Sequence, residues 1–276
     1  MKPRLTMLNA MAGHEIEPAL DRHVEWGLKD LDLKDQVYGK SIIDLNPDEA
    51  ERLVGAMQRR GLSAYCFSTI LFHEPLTPGE AHFRNSALAA LPRTLAVARM
   101  VKPKLIRLLD PRGSGRFPDW MIGLYREAVD QISAAGFQTT IENECHDCLF
   151  GNVENIIDFF QRLDRPRTAT FTWDIQNLWS NGTFPSLEVY HKLKPWMNYV
   201  HFKGGQSETP GGSLKWKSSL ADASWPVQDI ARQVLRDAIS PVWCLNSSHG
   251  DHKPGVDYSN VTQNDMAFLR KVIAEG

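Results

Sequence analysis

Short apolar stretches alternate with longer amphipathic ones along almost the whole chain, and this alternation restricts the fold more than any other feature of the sequence. Stretches 4–9, 29–33, 63–67, 105–109, 139–142, 170–174, 199–203 and 242–246 are short and apolar and read as strands. Between them, stretches 47–60, 86–101, 119–135, 152–163, 186–194, 227–238 and 262–274 carry apolar residues at helical spacing, as in Ile156, Ile157, Phe159, Phe160 and Leu163. Strands separated by helices lie parallel, because each crossover returns the chain to the same end of the sheet. Eight such strands predict an α/β fold, a closed (β/α)8 barrel with one face of each helix on the sheet. The punctuation agrees: Asn46 precedes Pro47 as a capping residue precedes proline at the first helical position, and Gly61 and Gly136 stand where helices stop.

A barrel needs a chain long enough to bury a large core. With 276 residues, 42% of them hydrophobic, and neither an internal repeat nor a low-complexity segment, the expectation is a single domain spanning 1–276. Lys and Arg total 31 against 33 Asp and Glu, without a basic stripe, so no nucleic-acid partner is expected. No apolar run reaches the roughly 18 residues of a membrane span, and the opening MKPRLTMLNA lacks the apolar core of a secretory signal. With four scattered cysteines, these features predict a cytoplasmic protein with reduced thiols and no membrane partner. Cys145-His146-Asp147-Cys148 mimics a redox or zinc pair, but no second CxxC or His pair stands nearby to complete four ligands.

In a (β/α)8 barrel, side chains at the carboxyl ends of the strands point into the functional face. Strand five ends Ile141-Glu142-Asn143-Glu144, strand six Thr172-Trp173-Asp174 and strand seven Val200-His201-Phe202-Lys203, so Glu142, Asp174 and His201 are expected to converge. Gathering carboxylates in one mouth is costly without a cation or bound protons. Oxygen ligands with one imidazole suit one divalent ion: Mn²⁺, Mg²⁺, Co²⁺ or Zn²⁺. Beside it, Glu142 is the candidate base for removing a proton next to a polarised carbonyl.

Lys203, two residues beyond His201, points the same way on a strand; it is either a catalytic stabiliser of an enediolate or a solvated loop lysine. Arg107 ends strand four, and either grips an anionic substrate group or pairs with a neighbouring acid. His73, after strand three, is a weaker substrate-binding candidate. Trp173 and Trp179 flank the strand-six site, and Phe72, Trp216 and Trp225 are rim candidates, since sugars lay apolar faces on such rings; core packing is the alternative for each. Stretch 204–224 holds four glycines, Pro210 and Lys215-Trp216-Lys217; too long for a tight connection, it reads as a lid.

Ile141-Glu142-Asn143, Asp174-Ile175-Gln176-Asn177 and Val200-His201-Phe202-Lys203 resemble, in this order, the IEN, D-x-x-N-like and V-H-x-K segments of the xylose-isomerase-like TIM-barrel superfamily, the sugar phosphate isomerase/epimerase group. The likeness runs from about Pro103 to the C-terminus and takes in Arg107 and Asp265-Met266-Ala267-Phe268-Leu269-Arg270. It implies a metal held by the strand-five Glu, strand-six Asp and strand-seven His with a Glu ending strand eight, often followed by a His. The chain departs there, because Val242-Trp243-Cys244-Leu245-Asn246-Ser247-Ser248-His249 puts Asn246 or Ser247 at the Glu position. Asn246 is the favoured fourth metal contact; His249 or Asp251 reaching back, or a water completing a three-residue site, are the alternatives. Asn177 and His249 join Arg107, His73 and Trp173 as substrate-binding candidates.

The family's epimerases resemble two-base machines with a carboxylate on each face of the substrate carbon. Loss of the strand-eight Glu therefore favours aldose–ketose isomerisation or dehydration. The resemblance implies a metal-dependent isomerase or lyase acting on a small sugar, keto-sugar, inosose or sugar acid, and association into homo-oligomers, as related barrels often show. Apurinic endonucleases share the barrel but resemble each other in a His three residues after the strand-six Asp and a Glu on strand eight, where this chain has Asn177 and Asn246 or Ser247. A silent barrel that binds a sugar or supports a partner subunit is the remaining alternative.

Overall fold

The computed structural model describes residues 2–145, 147–209 and 214–276, so His146 and Pro210 of the features above lie outside the described residues. Eight strands appear where the alternation predicts them: β1 (Arg4–Met7), β2 (Asp30–Leu33), β3 (Ser63–Ser68), β4 (Leu105–Leu109), β5 (Gln138–Glu142), β6 (Ala169–Asp174), β7 (Met197–Phe202) and β8 (Val242–Leu245). They form one parallel sheet in the order β1-β8-β7-β6-β5-β4-β3-β2. The seam between β1 and β2 is carried by a bridge from Leu8 to Asp32 and by Thr6 Oγ1, which donates to the Asp30 carbonyl at 2.7 Å. The result is a nearly closed (β/α)8 barrel.

Period two then sorts the side chains. Inside the barrel, Cys66, Leu105, Tyr199, Val242 and Cys244 form a small apolar plug, while the larger core lies between sheet and helices. Above the plug, the inward positions turn polar. The helix Val153–Leu163 shows how the outer layer is specified: Asn152 caps it by accepting the Asn155 N–H, and Val153, Ile156, Phe159, Phe160 and Leu163 are buried. Phe159 sits 4.6–5.0 Å, centroid to centroid, from the rings of Phe117, Tyr125 and Phe150. Asn46 and Glu49 form a reciprocal capping box on Pro47–Arg59, and Gly61, just past that helix, takes φ +65°.

Stretch 86–101 differs from a plain helix. A π-type turn at Arg84–Leu88 precedes the α-helix Ala89–Val101, which carries Pro92. A proline ring displaces the carbonyl four residues back, here Leu88, and the widened turn ends at that residue. The short helices Asn9–Ala12, Ile16–Glu25 and Ile175–Ser180 have no counterpart among the helical stretches read from the sequence. Among the described residues, no helix is long and apolar enough to cross a membrane.

The described parts of stretch 204–224 are tied to the loop after β8. Gln206 pairs with Trp216, and Trp216 with Asp251; the Ser218 N–H donates to Ser248 Oγ at 3.2 Å. Trp225 Nε1 donates to the Lys203 carbonyl at 3.1 Å. A Cβ on Gly204 would lie 2.5 Å from the Ser219 carbonyl oxygen, so this crossing requires glycine there.

Candidate active site

The carboxyl ends of β4 to β8 deliver their side chains to one buried cluster. Glu142 ends β5 and Asp174 ends β6; His201 is the penultimate residue of β7, and Lys203 follows that strand directly. Oxygen or nitrogen atoms of Glu142, Asp174 and His201 all lie within 4.8 Å of one another. His201 Nδ1 is 2.8 Å from Glu142 Oε1 and 3.8 Å from Asp174 Oδ2. The strand-eight register is settled too: Asn246, 2% exposed, faces inward, with Nδ2 3.2 Å from His201 Nδ1 and 3.4 Å from Asp174 Oδ2. The Ser247 backbone N–H donates to the Met11 sulfur.

Two fixed cations share the cluster. Arg107, on β4, places Nη1 2.5 Å from Glu142 Oε2 and donates through Nη2 to the Thr69 carbonyl at 3.2 Å. Of its two sequence readings, the pairing with a neighbouring acid is the one the structure displays. Lys203 Nζ sits 2.8 Å from Asp174 Oδ2 and 3.4 Å from Asn177 Oδ1; at 3% exposed, it is not a solvated loop lysine. Burial opposes its charge, yet Asp174 and Glu144 push its pKa up to about 12. Burial likewise opposes the charge on Asp174, but the ammonium of Lys203 and the imidazole of His201 hold that carboxyl below its usual range. The His201 imidazole is held well above its ordinary pKa because Glu142, Asp174 and Asp32 outweigh the burial that would depress it.

A second ring of polar groups fixes the first. Asp174 Oδ1 accepts the Asn177 N–H at 3.0 Å and so caps the helix Ile175–Ser180. Asn143 clamps the Asp174 backbone from both sides, at 2.9 Å each way. Asn177 Nδ2 donates to the Asn143 carbonyl and to Glu144 Oε1, both at 3.0 Å. Sequence reading missed Asp32, Asn143 and Glu144. Their signal was positional: Asn143 and Glu144 directly follow a strand end, and Asp32 occupies an inward position of the Asp-Leu-Asp-Leu strand.

Other candidates are placed differently. Trp173 does not reach the mouth: it is fully buried, packs towards Tyr190 at 6.3 Å in the helical layer, and alternates with the inward Thr172 and Asp174. Phe72 and Trp179 are fully buried as well, Phe72 on Tyr125 and Trp179 on Trp225. His73 is half-buried with Nδ1 3.2 Å from the Asp110 carbonyl, at the end of β4 rather than in the cluster. His249 is exposed, and the nearby Lys203 ammonium lowers its imidazole to about 4. Asp251 is exposed and engages Lys215 and Lys217 through its backbone. Cys148 Sγ donates to the Cys145 carbonyl at 3.1 Å.

A divalent cation fits this donor set. Glu142, Asp174 and His201 supply carboxylate oxygens and an imidazole nitrogen at ligand-like separations, and Asn246 Oδ1 is buried with no hydrogen-bond partner among the described residues. A half-turn of that amide exchanges Oδ1 with Nδ2 and presents a fourth oxygen to the same space. The charge count agrees: among the described residues Asp32, Glu142, Glu144 and Asp174 face Arg107 and Lys203 as fixed cations, so the carboxylates outnumber the cations even with the His201 imidazole protonated.

No curated protein matches the sequence. Solved structures do match in shape. A xylose isomerase-like TIM barrel protein from Mycobacterium smegmatis, in complex with magnesium, superposes with TM-score 0.74 at 16% identity, covering 99% of this chain and 97% of the other. The probable 3-DHS dehydratase AsbF from Bacillus anthracis gives 0.72 at 14% identity, covering 97% and 98%. The 3-keto-D-glucoside 4-epimerase YcjR from E. coli gives 0.71 at 13% identity, covering 98% and 100%. The family model described as "Xylose isomerase-like TIM barrel" matches residues 21–232, and the chain belongs to that family.

Proposed function

We propose that the chain is a divalent-metal-dependent isomerase or lyase acting on a small sugar, keto-sugar, inosose or sugar acid. The observation that carries this reading is the convergence of Glu142, Asp174 and His201 within 4.8 Å, backed by the orphaned Asn246 Oδ1. Similarly folded proteins bear the names of a dehydratase and sugar epimerases, which support a carbohydrate-like substrate. A bound ion supplies Lewis acidity, polarising a carbonyl or hydroxyl and acidifying the neighbouring C–H.

The chain's own residues then divide the work. Arg107 holds Glu142 Oε2, which leaves Oε1, 2.8 Å from His201 Nδ1, as the oxygen that takes the proton. Lys203, buried and cationic, stabilises negative charge developing on the substrate oxygen, and Asn177 holds the lysine's far side. Asn246 carries no charge and cannot serve as a second base, so proton transfer on one face, as in isomerisation or dehydration, is favoured over two-base epimerisation.

Metal analysis of the purified protein, followed by a panel of sugars, inososes and sugar acids, tests the reading. One labile divalent ion per chain and substrate-dependent exchange of carbon-bound hydrogen with deuterated water are expected. Glu142→Gln keeps size and one ligand oxygen, and its turnover is expected to fall about 10²-fold or more. A variant that retains metal and exchanges at the wild-type rate removes Glu142 as the base; a protein that binds no divalent ion removes the reading itself.

A further inference from the structure

His201 has two faces, and the metal reading uses one. Nδ1 turns towards Glu142, Asp174 and Asn246. Nε2 turns down into the barrel, where Asp32 Oδ2 faces it at the ion-pair distance of 3.3 Å, and among the described residues it completes no hydrogen bond as the ring stands. Asp32 reaches this point from β2, three strands round the barrel from β7. It is fully buried and carries no salt bridge to an arginine or lysine among the described residues.

A buried carboxylate without such a bridge persists only if its oxygens are held. Oδ1 accepts the Ser68 hydroxyl, and Oδ2 accepts the Tyr199 hydroxyl at 3.0 Å. The Tyr199 ring also meets the imidazole edge-on, at 5.1 Å and 82°, and so restricts its rotation. Both hydroxyls can only donate to the ionised carboxylate, and its remaining lone pairs face Nε2 at 3.3 Å.

We propose that Asp32 is a positioning residue: it keeps the hydrogen of His201 on Nε2 and fixes the ring's angle, so that Nδ1 presents its lone pair to the metal. The proposal rests on the metal-site reading above, and it gives a role to a carboxylate that the reaction itself does not use. Carboxylate partners of this kind orient ligating histidines and raise their basicity, and their loss typically weakens metal binding by about 10–100-fold. Asp32 touches neither substrate nor metal; it acts through the imidazole alone.

The test uses the full chain with ¹⁵N-labelled histidine, the His201 signals being assigned by their loss in His201→Gln. In the wild type, metal-free and with Zn²⁺ added, the Nε2–H resonance is expected far downfield and slow to exchange with water. In Asp32→Asn it is expected to move upfield and exchange faster, and calorimetry is expected to show Zn²⁺ affinity falling about 10–100-fold. Tyr199→Phe leaves Asp32 ionised but frees one of its oxygens, and is expected to produce a smaller shift in the same direction; it carries the test if Asp32→Asn does not fold. Wild type that binds Zn²⁺, with neither variant altering affinity or the Nε2–H signal, overturns the proposal. Wild type that binds no Zn²⁺ yet shows the Asp32-dependent signal refutes the metal reading and supports the positioning. Cys244 lies with Asp32 and His201 within ligand-like distance, so two Zn²⁺ per chain, one lost in Cys244→Ser, would put an ion on Nε2 and overturn the proposal as well.

Discussion

At the scale of residues, the chemistry turns on how a buried charge cluster is balanced. Asn246 stands where the sequence resemblance leads one to expect a Glu, and Asn246→Glu is the informative change. It would place an anion about where Nδ2 now lies, 3.4 Å from Asp174 Oδ2. Without metal the new charge is buried and unpaired, so stability is expected to fall by roughly 3 kcal/mol. With Mn²⁺ or Co²⁺ the same oxygen becomes a ligand, and affinity is expected to rise about tenfold or more, roughly 1.4 kcal/mol. Thermal unfolding with and without metal, and calorimetry, read both effects; a variant as stable as the wild type without metal and no tighter with it removes Asn246 from the site. Glu142, Asp174 and His201 were legible because each lies at the end of an apolar strand, where position alone dictates direction. Asp32 was not, because its partner His201 lies 169 residues away in sequence and only closure of the barrel brings them together. Trp173 takes the packing alternative for the opposite reason: next to Asp174 in sequence, it points to the other face of the same strand.

At the scale of elements, strands and long helices were read almost to the residue, since their apolar periodicity is strong. The helix Ile16–Glu25 escaped because its buried face is Ile16, Ala19, Leu20 and His23, with little large apolar surface to announce it. His23 earns its place only in three dimensions, with Nδ1 2.8 Å from the Ala19 carbonyl and Nε2 3.2 Å from the Met7 carbonyl. A comparable buried polar contact joins stretch 204–224 to the C-terminal helix Val261–Glu275, where Asp265 Oδ1 accepts the Leu220 N–H at 2.7 Å. Burial, only partly offset by that bond, pushes the Asp265 carboxyl up to about 7. An unfolded aspartate titrates near about 3.9. Folding therefore takes up a proton between these values, so stability from this site is complete below about 4, declines as pH rises towards 7 and is level beyond, a difference of roughly 4 kcal/mol. Asp265→Asn keeps an acceptor for Leu220 without the charge. It is expected to be more stable than the wild type at pH 8 and to lose that part of the pH dependence. Urea unfolding across this range checks it, and parallel curves for the two proteins would show that Asp265 does not titrate as described.

At the scale of the whole molecule, the alternation of strands and helices dictated the barrel, and the barrel dictated where polar strand ends meet. What alternation could not give is the balance of the resulting cluster, because charge compensation depends on which of Arg107, Lys203 and His201 reach which carboxylate. The answer has a global consequence. Four carboxylates and two fixed cations are enclosed by strands from every side of the barrel, so an ion that enters this space binds the folded chain and finds no such site in the unfolded one. Metal binding is therefore coupled to global stability. At a free metal concentration of 100 times the dissociation constant, the gain is about 2.7 kcal/mol. For a chain of this size, that corresponds to a rise in melting temperature of roughly 5 °C. Scanning calorimetry on chelator-treated protein, then with Mn²⁺, Co²⁺ or Zn²⁺ restored, is expected to show that shift, and Asp174→Asn is expected to reduce it by removing one ligand charge. A melting temperature indifferent to chelation and to all three ions would mean that the cluster is closed by its own lysine and arginine, and that Glu142, Asp174 and His201 meet for structural reasons alone.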